Sequence, residues 1–283
     1  MKAIRAVRHT VRSADGTMID YRTSGAGPGL VIVGGALRSG VDYEPLAAAL
    51  ATGFTVQVID RRGRGDSGPQ GPDYTLGKEV EDLAAVQRAT GATLAFGHSY
   101  GGLVVLETAR SLGLFDRIAV YEPGVPTAPV ATDWMIDYER CLAAGDPAGA
   151  FAAFLRGSEG APPIVRGLPR WYLRAVLALY LRLPPGRRMV PLLGPNLAEH
   201  REVAAYYARR DQLRTVRQPV LIMVGGRTPT AADPRPFDGV AAGLPAATVR
   251  TVPGLDHFGP EGRGAPAVGA MIGEFFEPVR TKG

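Results

Sequence analysis

Thr93-Leu-Ala-Phe-Gly-His-Ser-Tyr-Gly-Gly102 joins a short apolar run to a serine bounded by glycines. The run from Thr93 to Phe96 is typical of a buried strand, and residues 103–110 are typical of a helix. Gly-x-Ser-x-Gly between strand and helix predicts a sharp turn that strains the serine backbone and lifts its hydroxyl clear of the sheet. Glycines are expected there because a Cβ would clash with the neighbouring elements. Ser99 is therefore a candidate nucleophile; the alternative is an ordinary helix N-cap.

The composition is that of a soluble globular protein. The 283 residues are 46% hydrophobic and 21% charged, which suits one α/β domain or a core domain with an insertion. The formal net charge is +5, carried almost entirely by arginine, and no basic run with interleaved aromatic residues indicates nucleic-acid binding. Cys141 is the only cysteine, so an intrachain disulfide is excluded.

The sequence gives no indication of a membrane or a metal site. The N-terminus lacks the apolar segment of a secretory signal, and no apolar run approaches the roughly 20 residues of a membrane helix. The four histidines show no metal-ligand spacing. We therefore expect a cytoplasmic protein that acts on a small molecule, with no cofactor, no metal, no nucleic-acid partner and no membrane partner; the oligomeric state is left open.

Apolar runs alternate with helical patterns along most of the chain. This regularity predicts a mostly parallel, doubly wound sheet, preceded by an antiparallel hairpin over residues 4–23. The predicted strands after the hairpin are 30–33, 54–60, 93–98, 117–122, 220–224 and 247–252. The predicted helices are 42–51, 75–90, 101–112, 236–243 and 264–277.

Residues 61–68, Arg-Arg-Gly-Arg-Gly-Asp-Ser-Gly, contain a literal Gly-x-Gly-x-x-Gly. A dinucleotide site requires a helix to begin on those glycines. Here the chain continues into Pro69-Gln-Gly-Pro-Asp73, and the next helix is predicted only near Thr75. The motif is therefore interpreted as a turn-rich surface loop.

Residues 124–217 differ from the rest of the chain. They begin with a proline-rich linker and continue as several predicted helices without a convincing strand. With 13 arginines and 8 acidic residues, this segment carries the whole net charge of +5. Its aromatic residues can be interpreted either as a pocket lining or as helix-packing core. They are Trp134, Trp171, Tyr172, Tyr180, Tyr206 and Tyr207.

The chain resembles the α/β-hydrolase family, and the resemblance covers nearly all of it. Four features occur in the family's order: Gly34-Gly35 after a buried strand, Asp60–Ser67 after the next strand, Gly97–Gly101, and Gly254-Leu-Asp-His257 near the end. The resemblance implies the α/β-hydrolase fold, with about eight strands and an inserted helical cap. The core would then be residues 1–123 and 218–283, and the cap residues 124–217.

The resemblance also implies roles for particular residues. Ser99 would be the nucleophile and His257 the general base. The backbone amides of Ala36 and Tyr100 would form the oxyanion hole. A serine hydroxyl is scarcely ionised at pH 7 and needs an imidazole within hydrogen-bond reach, which supports this pairing. His98, beside the nucleophile, is interpreted as structural.

The acid of the triad is the open point. The family's usual aspartate would fall near Thr228, and threonine cannot stabilise an imidazolium. We assign the acid to Glu122, because it ends a strand (117–122) predicted to lie beside the strand that leads into Ser99 (93–98). Active sites of open α/β sheets lie at the carboxyl ends of strands. Certain haloalkane dehalogenases resemble this arrangement. Asp233 is the alternative acid, and Asp256 a more remote one.

Two classes of function remain. The first is a serine hydrolase of the carboxylic-ester class, acting on an ester, lactone or thioester of a small apolar molecule through an acyl-enzyme. The second is a non-hydrolytic use of the fold, as a cofactor-free lyase or cyclase or as a small-molecule binding protein. The absence of the usual aspartate keeps this class open, because fold alone does not fix function.

Overall fold

The computed structural model describes residues 6–158, 163–228 and 237–277. Eight strands form one sheet in the order β1-β2-β4-β3-β5-β6-β7-β8. Only the β1–β2 and β2–β4 pairings are antiparallel. The strands are β1 Val7–Arg12, β2 Met18–Gly25, β3 Gly29–Val33, β4 Thr55–Asp60, β5 Leu94–His98, β6 Arg117–Tyr121, β7 Val220–Gly225 and β8 Ala247–Val252.

Helices cover both faces of the sheet and occupy the segment between β6 and β7. The α-helices are α1 Glu44–Leu50, α2 Leu76–Thr90, α3 Tyr100–Leu112, α4 Trp134–Ala143, α5 Pro147–Gly157, α6 Pro163–Gly167, α7 Arg170–Tyr180, α8 Pro184–Met189, α9 Leu193–Tyr206, α10 Asp238–Ala242 and α11 Ala265–Phe276. Short 3₁₀ helices lie at Gly40–Tyr43, Val190–Leu192, Tyr207–Thr215 and Gly262–Gly264. This is the predicted α/β-hydrolase fold, and the predicted fold class is confirmed.

The central strands are buried on both faces. Side chains of β3 alternate between the two sides, so that Val31 joins the core under α2 and α3, whereas Ile32 joins the core under α1 and α11. Continuous apolar strands of this kind are typical of a parallel sheet covered on both sides. The N-terminal hairpin pairs Arg12 with Met18, within the residues predicted to form it.

The chain between β6 and β7, here called the insertion (residues 124–217), contains six α-helices and no strand among its described residues. It has an apolar core of its own, built around Trp134, Tyr138 and Leu193. Leu37, from the loop after β3, packs into that core. The insertion therefore rests on the loop that the sequence identifies as one side of the oxyanion hole.

The loop after β4 is not the surface loop that its sequence indicated. Arg61, Arg62 and Arg64 are buried, with 1–4% of each residue exposed. The helix near Thr75 begins well after the glycines, with Thr75 as its N-cap. No helix begins on the glycines, so the argument against a dinucleotide site agrees with the structure. The prediction of a surface loop was wrong for the arginines, because carboxylates from distant elements pair with them in the interior.

Candidate active site

The Gly-x-Ser-x-Gly turn joins β5 to α3. Ser99 has φ 53° and ψ −120°, a sparsely populated conformation for a residue with a side chain. Its amide donates to the Tyr121 carbonyl at 3.0 Å, and its carbonyl accepts from Gly124 at 2.7 Å. The turn is therefore fixed to the end of β6 on both sides of the strained residue.

Both glycines of the motif are required by close packing. An ideal Cβ on Gly97 would lie 2.5 Å from the Gly101 carbonyl oxygen, and one on Gly101 would lie 2.2 Å from the Val33 carbonyl oxygen. Real Cβ atoms do not approach backbone this closely, so a larger residue at either position would displace the elbow. The structure agrees with the steric explanation given from the sequence.

The loop after β3 lies against Ser99. A Cβ placed on Gly35 would be 3.1 Å from Ser99 Cβ. Ala36 follows, and Tyr100 is the first residue of α3; neither amide donates a hydrogen bond to another described residue. Two unpaired amides beside a serine are the donors that a tetrahedral intermediate requires. The geometry is therefore compatible with the predicted oxyanion hole at Ala36 and Tyr100.

Glu122 and His257 are in direct contact. Glu122 Oε2 lies 2.7 Å from His257 Nδ1. The carboxylate is almost fully buried, with 1% of the side chain exposed, whereas the imidazole is 41% exposed. Because Nδ1 faces the carboxylate, Nε2 is the ring nitrogen left to act as a base. His257 and Ser99 are not hydrogen-bonded to each other in this structure; in unliganded enzymes such contacts are often long.

Three donors hold the Glu122 carboxylate. Besides His257, Gly225 N donates to Oε1 at 2.8 Å, and the Thr228 hydroxyl donates to the same oxygen at 2.5 Å. Thr228 occupies the position of the family's usual aspartate, and its hydroxyl binds the carboxylate that stands there instead. From the sequence, Thr228 indicates only that the usual acid is missing. Its position just after β7 could have indicated that it lies near the acid that replaces it.

The other candidate acids do not contact the histidine ring. Asp256 is exposed, and its carboxylate accepts from the amide of Phe258 at 3.0 Å. Asp233 lies outside the described residues. Of the described candidates, only Glu122 is placed against His257.

His98 connects two loops of the site. Gly35 N donates to the Tyr43 hydroxyl at 2.8 Å, and that hydroxyl lies 2.6 Å from His98 Nδ1. Nε2 of the same ring lies 2.8 Å from the His257 carbonyl oxygen. A carbonyl only accepts, so we assign the proton to Nε2, and Tyr43 then donates to Nδ1. Burial, with a smaller effect of His257, lowers the pKa of His98 well below its usual value, which favours this neutral form.

Two buried arginines hold the loop after β3 (residues 34–39), here called the oxyanion loop because it contains Ala36. Arg61 donates to the carbonyls of Gly34 and Gly35 at 2.8 and 3.0 Å, and Arg64 donates to Gly35 at 3.3 Å. Glu199, from α9 of the insertion, forms ion pairs with both arginines. Burial alone would raise the pKa of Glu199, but the two guanidinium groups outweigh it and hold that pKa below its usual value.

Glu79 completes this ionic cluster and extends it towards the nucleophile. It accepts from Arg61 at 2.7 Å and from the Tyr74 hydroxyl at 2.9 Å. Tyr74 is also hydrogen-bonded to the hydroxyl of Tyr100 at 2.8 Å. Tyr100 and Gly35, the residue before Ala36, are therefore connected to one buried cluster with two positive and two negative groups.

The described residues contain no cluster of histidine, cysteine and acidic side chains suited to a metal ion. Their helices are also too short or too polar to cross a bilayer.

The site combines three features. They are a strained serine between strand and helix, an imidazole in contact with a buried carboxylate, and unpaired amides beside the serine. This combination is typical of the α/β-hydrolase class of proteins. The model of the alpha/beta hydrolase family matches residues 30–268. The chain belongs to that family.

Solved structures support the same placement. The chain is 33% identical to an alpha/beta hydrolase from Sphaerobacter thermophilus, with a TM-score of 0.79 over 95% of this chain and 100% of that one. Esterase RhEst1 from a Rhodococcus species is 24% identical, with a TM-score of 0.59 over 95% and 96% of the two chains. The enol-lactonase of Burkholderia xenovorans is 20% identical, with a TM-score of 0.69 over 94% and 98%. At these last two identities, the likeness concerns the fold.

A curated relative matches a smaller part. The chain is 29% identical over 123 residues to an uncharacterized protein of Mycobacterium tuberculosis. That alignment covers 42% of this chain and 36% of the relative.

Proposed function

We propose that the protein is a serine hydrolase that cleaves an ester, lactone or thioester of a small apolar molecule through Ser99, His257 and Glu122. The observation that carries the proposal is the 2.7 Å contact between His257 and Glu122 at the carboxyl edge of the sheet that also bears the strained Ser99. A buried carboxylate on Nδ1 favours the tautomer that an acyl-transfer base needs.

The mechanism follows from these positions. Ser99 Oγ attacks the substrate carbonyl while His257 Nε2 accepts the hydroxyl proton, and Glu122 stabilises the resulting imidazolium. The amides of Ala36 and Tyr100 bind the oxyanion. His257 then protonates the leaving oxygen or sulfur, which departs and leaves an acyl-enzyme. Water, deprotonated by the same imidazole, attacks this ester and releases the acid and free Ser99.

The non-hydrolytic alternative was based on the absence of the usual aspartate. The contact of Glu122 with His257 supports the hydrolase over that alternative, because it provides a carboxylate at Nδ1 where the usual aspartate is absent. The esterase and the enol-lactonase of similar fold are in keeping with ester or lactone chemistry. We further propose that the insertion acts as a cap that selects substrates, because it packs on the oxyanion loop through Leu37.

Fluorophosphonate labelling followed by intact-mass analysis tests the nucleophile. We expect one adduct on the wild type and none on Ser99→Ala. Ser111→Ala is the matched control, because Ser111 also belongs to α3 but donates its hydroxyl to the Glu107 carbonyl; it should label like the wild type. Labelling of Ser99→Ala would contradict the assignment. A wild type that is not labelled and does not turn over p-nitrophenyl esters of any chain length would contradict the hydrolase proposal itself.

A further inference from the structure

Helix α7 of the insertion is apolar on its outer face as well as its inner one. Leu173 and Leu177 are buried in the core of the insertion. On the other side, Trp171 is 72% exposed and Leu179 is 65% exposed. With 100° per residue, positions 171, 172, 175, 176 and 179 share this outer side, and all five are apolar or aromatic. Soluble proteins seldom expose such a contiguous stripe without a partner.

The segment that contains this stripe carries charges of a single sign. Residues 163–190 contain six arginines and no aspartate, glutamate or lysine. Two of the arginines pair with acids elsewhere in the insertion, Arg170 with Asp137 and Arg174 with Asp146. The other four have no ion pair with a described residue and are exposed. They are Arg166, Arg182, Arg187 and Arg188.

This charge pattern argues against a second copy of the chain as the occupant. A two-fold dimer would bring the same surface onto itself, so the four arginines without an ion pair would meet a segment that has no acidic residue of its own. A polyanion such as nucleic acid would use the arginines but would leave Trp171 and Leu179 without an apolar partner. An anionic bilayer satisfies both components, because tryptophan and leucine enter the headgroup boundary while arginines reach the lipid phosphates.

We propose that the face formed by Trp171, Tyr172, Val176 and Leu179, together with the four unpaired arginines, docks the protein on a bilayer that contains anionic lipid. The docking is peripheral, so it requires no membrane-spanning segment. The proposal departs from the expectation of no membrane partner, which considered spanning segments only. It does not depend on the proposed reaction.

The same segment also lines a cavity beside the loop after β3. A cavity of about 250 Å³ is lined on one side by Tyr180, Arg188 and Met189 and on the other by Leu37 and Arg38 of the oxyanion loop. Docking through α7 would place this cavity close to the lipid surface. For the proposed hydrolase, this arrangement favours substrates that partition into lipid.

Vesicle sedimentation tests the docking. We expect the wild type to bind phosphatidylcholine vesicles with about 30 mol% phosphatidylserine and to bind pure phosphatidylcholine only weakly, with binding reduced by salt. Each basic residue near such a surface contributes about 1 kcal/mol, so Arg182→Gln/Arg187→Gln should bind about 30-fold more weakly. Trp171→Ser/Leu179→Ser should abolish binding.

Fluorescence supplies an independent readout. The chain has two tryptophans, of which Trp134 is buried, so a blue shift of emission on adding anionic vesicles reports Trp171. The control Val7→Ser/Leu112→Ser removes two exposed apolar side chains outside the insertion, on β1 and α3, and should bind like the wild type. All variants are checked for unchanged thermal unfolding.

Three results would overturn the proposal. The first is wild type that does not bind the anionic vesicles, and the second is Trp171→Ser/Leu179→Ser that binds them like wild type. The third is a dimer in analytical ultracentrifugation that the same substitution dissociates, which would assign the face to a second copy. Because sedimentation requires no turnover, an inactive wild type would contradict the hydrolase proposal and leave this test intact.

Discussion

Replacing Glu122 with glutamine should remove most turnover without unfolding the protein. The reason is that the surrounding hydrogen bonds fix the orientation of the glutamine amide relative to His257. Oε1 accepts from both Gly225 N and Thr228 Oγ1, whereas Oε2 accepts only from His257. The single carbonyl oxygen of glutamine therefore takes the Oε1 position. The opposite orientation would leave two donors without an acceptor, at about 1–3 kcal/mol for each buried group.

The amide NH₂ of the variant then faces His257 Nδ1. A donor at this position requires Nδ1 to accept, so the ring proton moves to Nε2, which can no longer take the proton of Ser99. Loss of the orienting carboxylate in a serine triad lowers kcat about 10⁴-fold, or about 5.4 kcal/mol of activation free energy. We expect a loss of this order for Glu122→Gln.

The assay is kcat for p-nitrophenyl acetate together with the rate of fluorophosphonate labelling, and thermal unfolding monitors the fold. Asp256→Asn is the matched control, since this neighbouring acid is exposed and its carboxylate accepts a local hydrogen bond from the amide of Phe258. It should stay within about threefold of the wild type, as expected of a surface change. Glu122→Gln within tenfold of wild-type turnover, or an equal loss in Asp256→Asn, would refute the assignment of the acid.

Two further predictions concern buried charge. Glu199→Gln and Asp82→Asn each remove one partner of a buried ion pair, and each should lower the free energy of unfolding, measured by urea titration, by about 3–5 kcal/mol. Only Glu199→Gln should also lower kcat, because only the arginines paired with Glu199 hold the oxyanion loop. Equal kcat values in the two variants would contradict this coupling. Burial lowers the pKa values of His98 and His200, so the unfolded chain binds more protons below about pH 6.5 and stability falls there as pH falls. His200→Leu should therefore lose less unfolding free energy than the wild type between pH 7.5 and 5.5, and an unchanged pH dependence would exclude a neutral His200 in the folded chain.

The parts of the site that could be predicted from the sequence are those fixed by local geometry or by strand order. The elbow at Ser99 is a property of five consecutive residues. Glu122 was predicted from topology, because β6 pairs with β5 and the acid follows β6 directly. Such features need only the order of the elements and the edge of the sheet at which active sites lie.

The parts that could not be predicted depend on contacts between residues far apart in the chain. The Arg64–Glu199 pair spans 135 residues, and the contact of His98 with the His257 carbonyl spans 159. Without these partners, a run of arginines among glycines is interpreted as a solvated loop. The outer face of α7 shows the opposite difference. An apolar helix is expected to be buried, and only the structure shows that Trp171 remains exposed.

Backbone strain is concentrated where the proposed chemistry takes place. Four non-glycine residues among those described have positive φ, and three of them, Leu37, Ser99 and Glu122, adjoin or form the site. Strain of this kind costs about 1–3 kcal/mol per residue and persists only where the surroundings over-determine the conformation. Each strained residue has such surroundings: Leu37 is packed into the core of the insertion, Ser99 is hydrogen-bonded to Tyr121 and Gly124, and the Glu122 carboxylate is held by three donors. Apolar packing and hydrogen bonds near the sheet edge therefore act together to hold three costly conformations at the positions where the proposed reaction takes place.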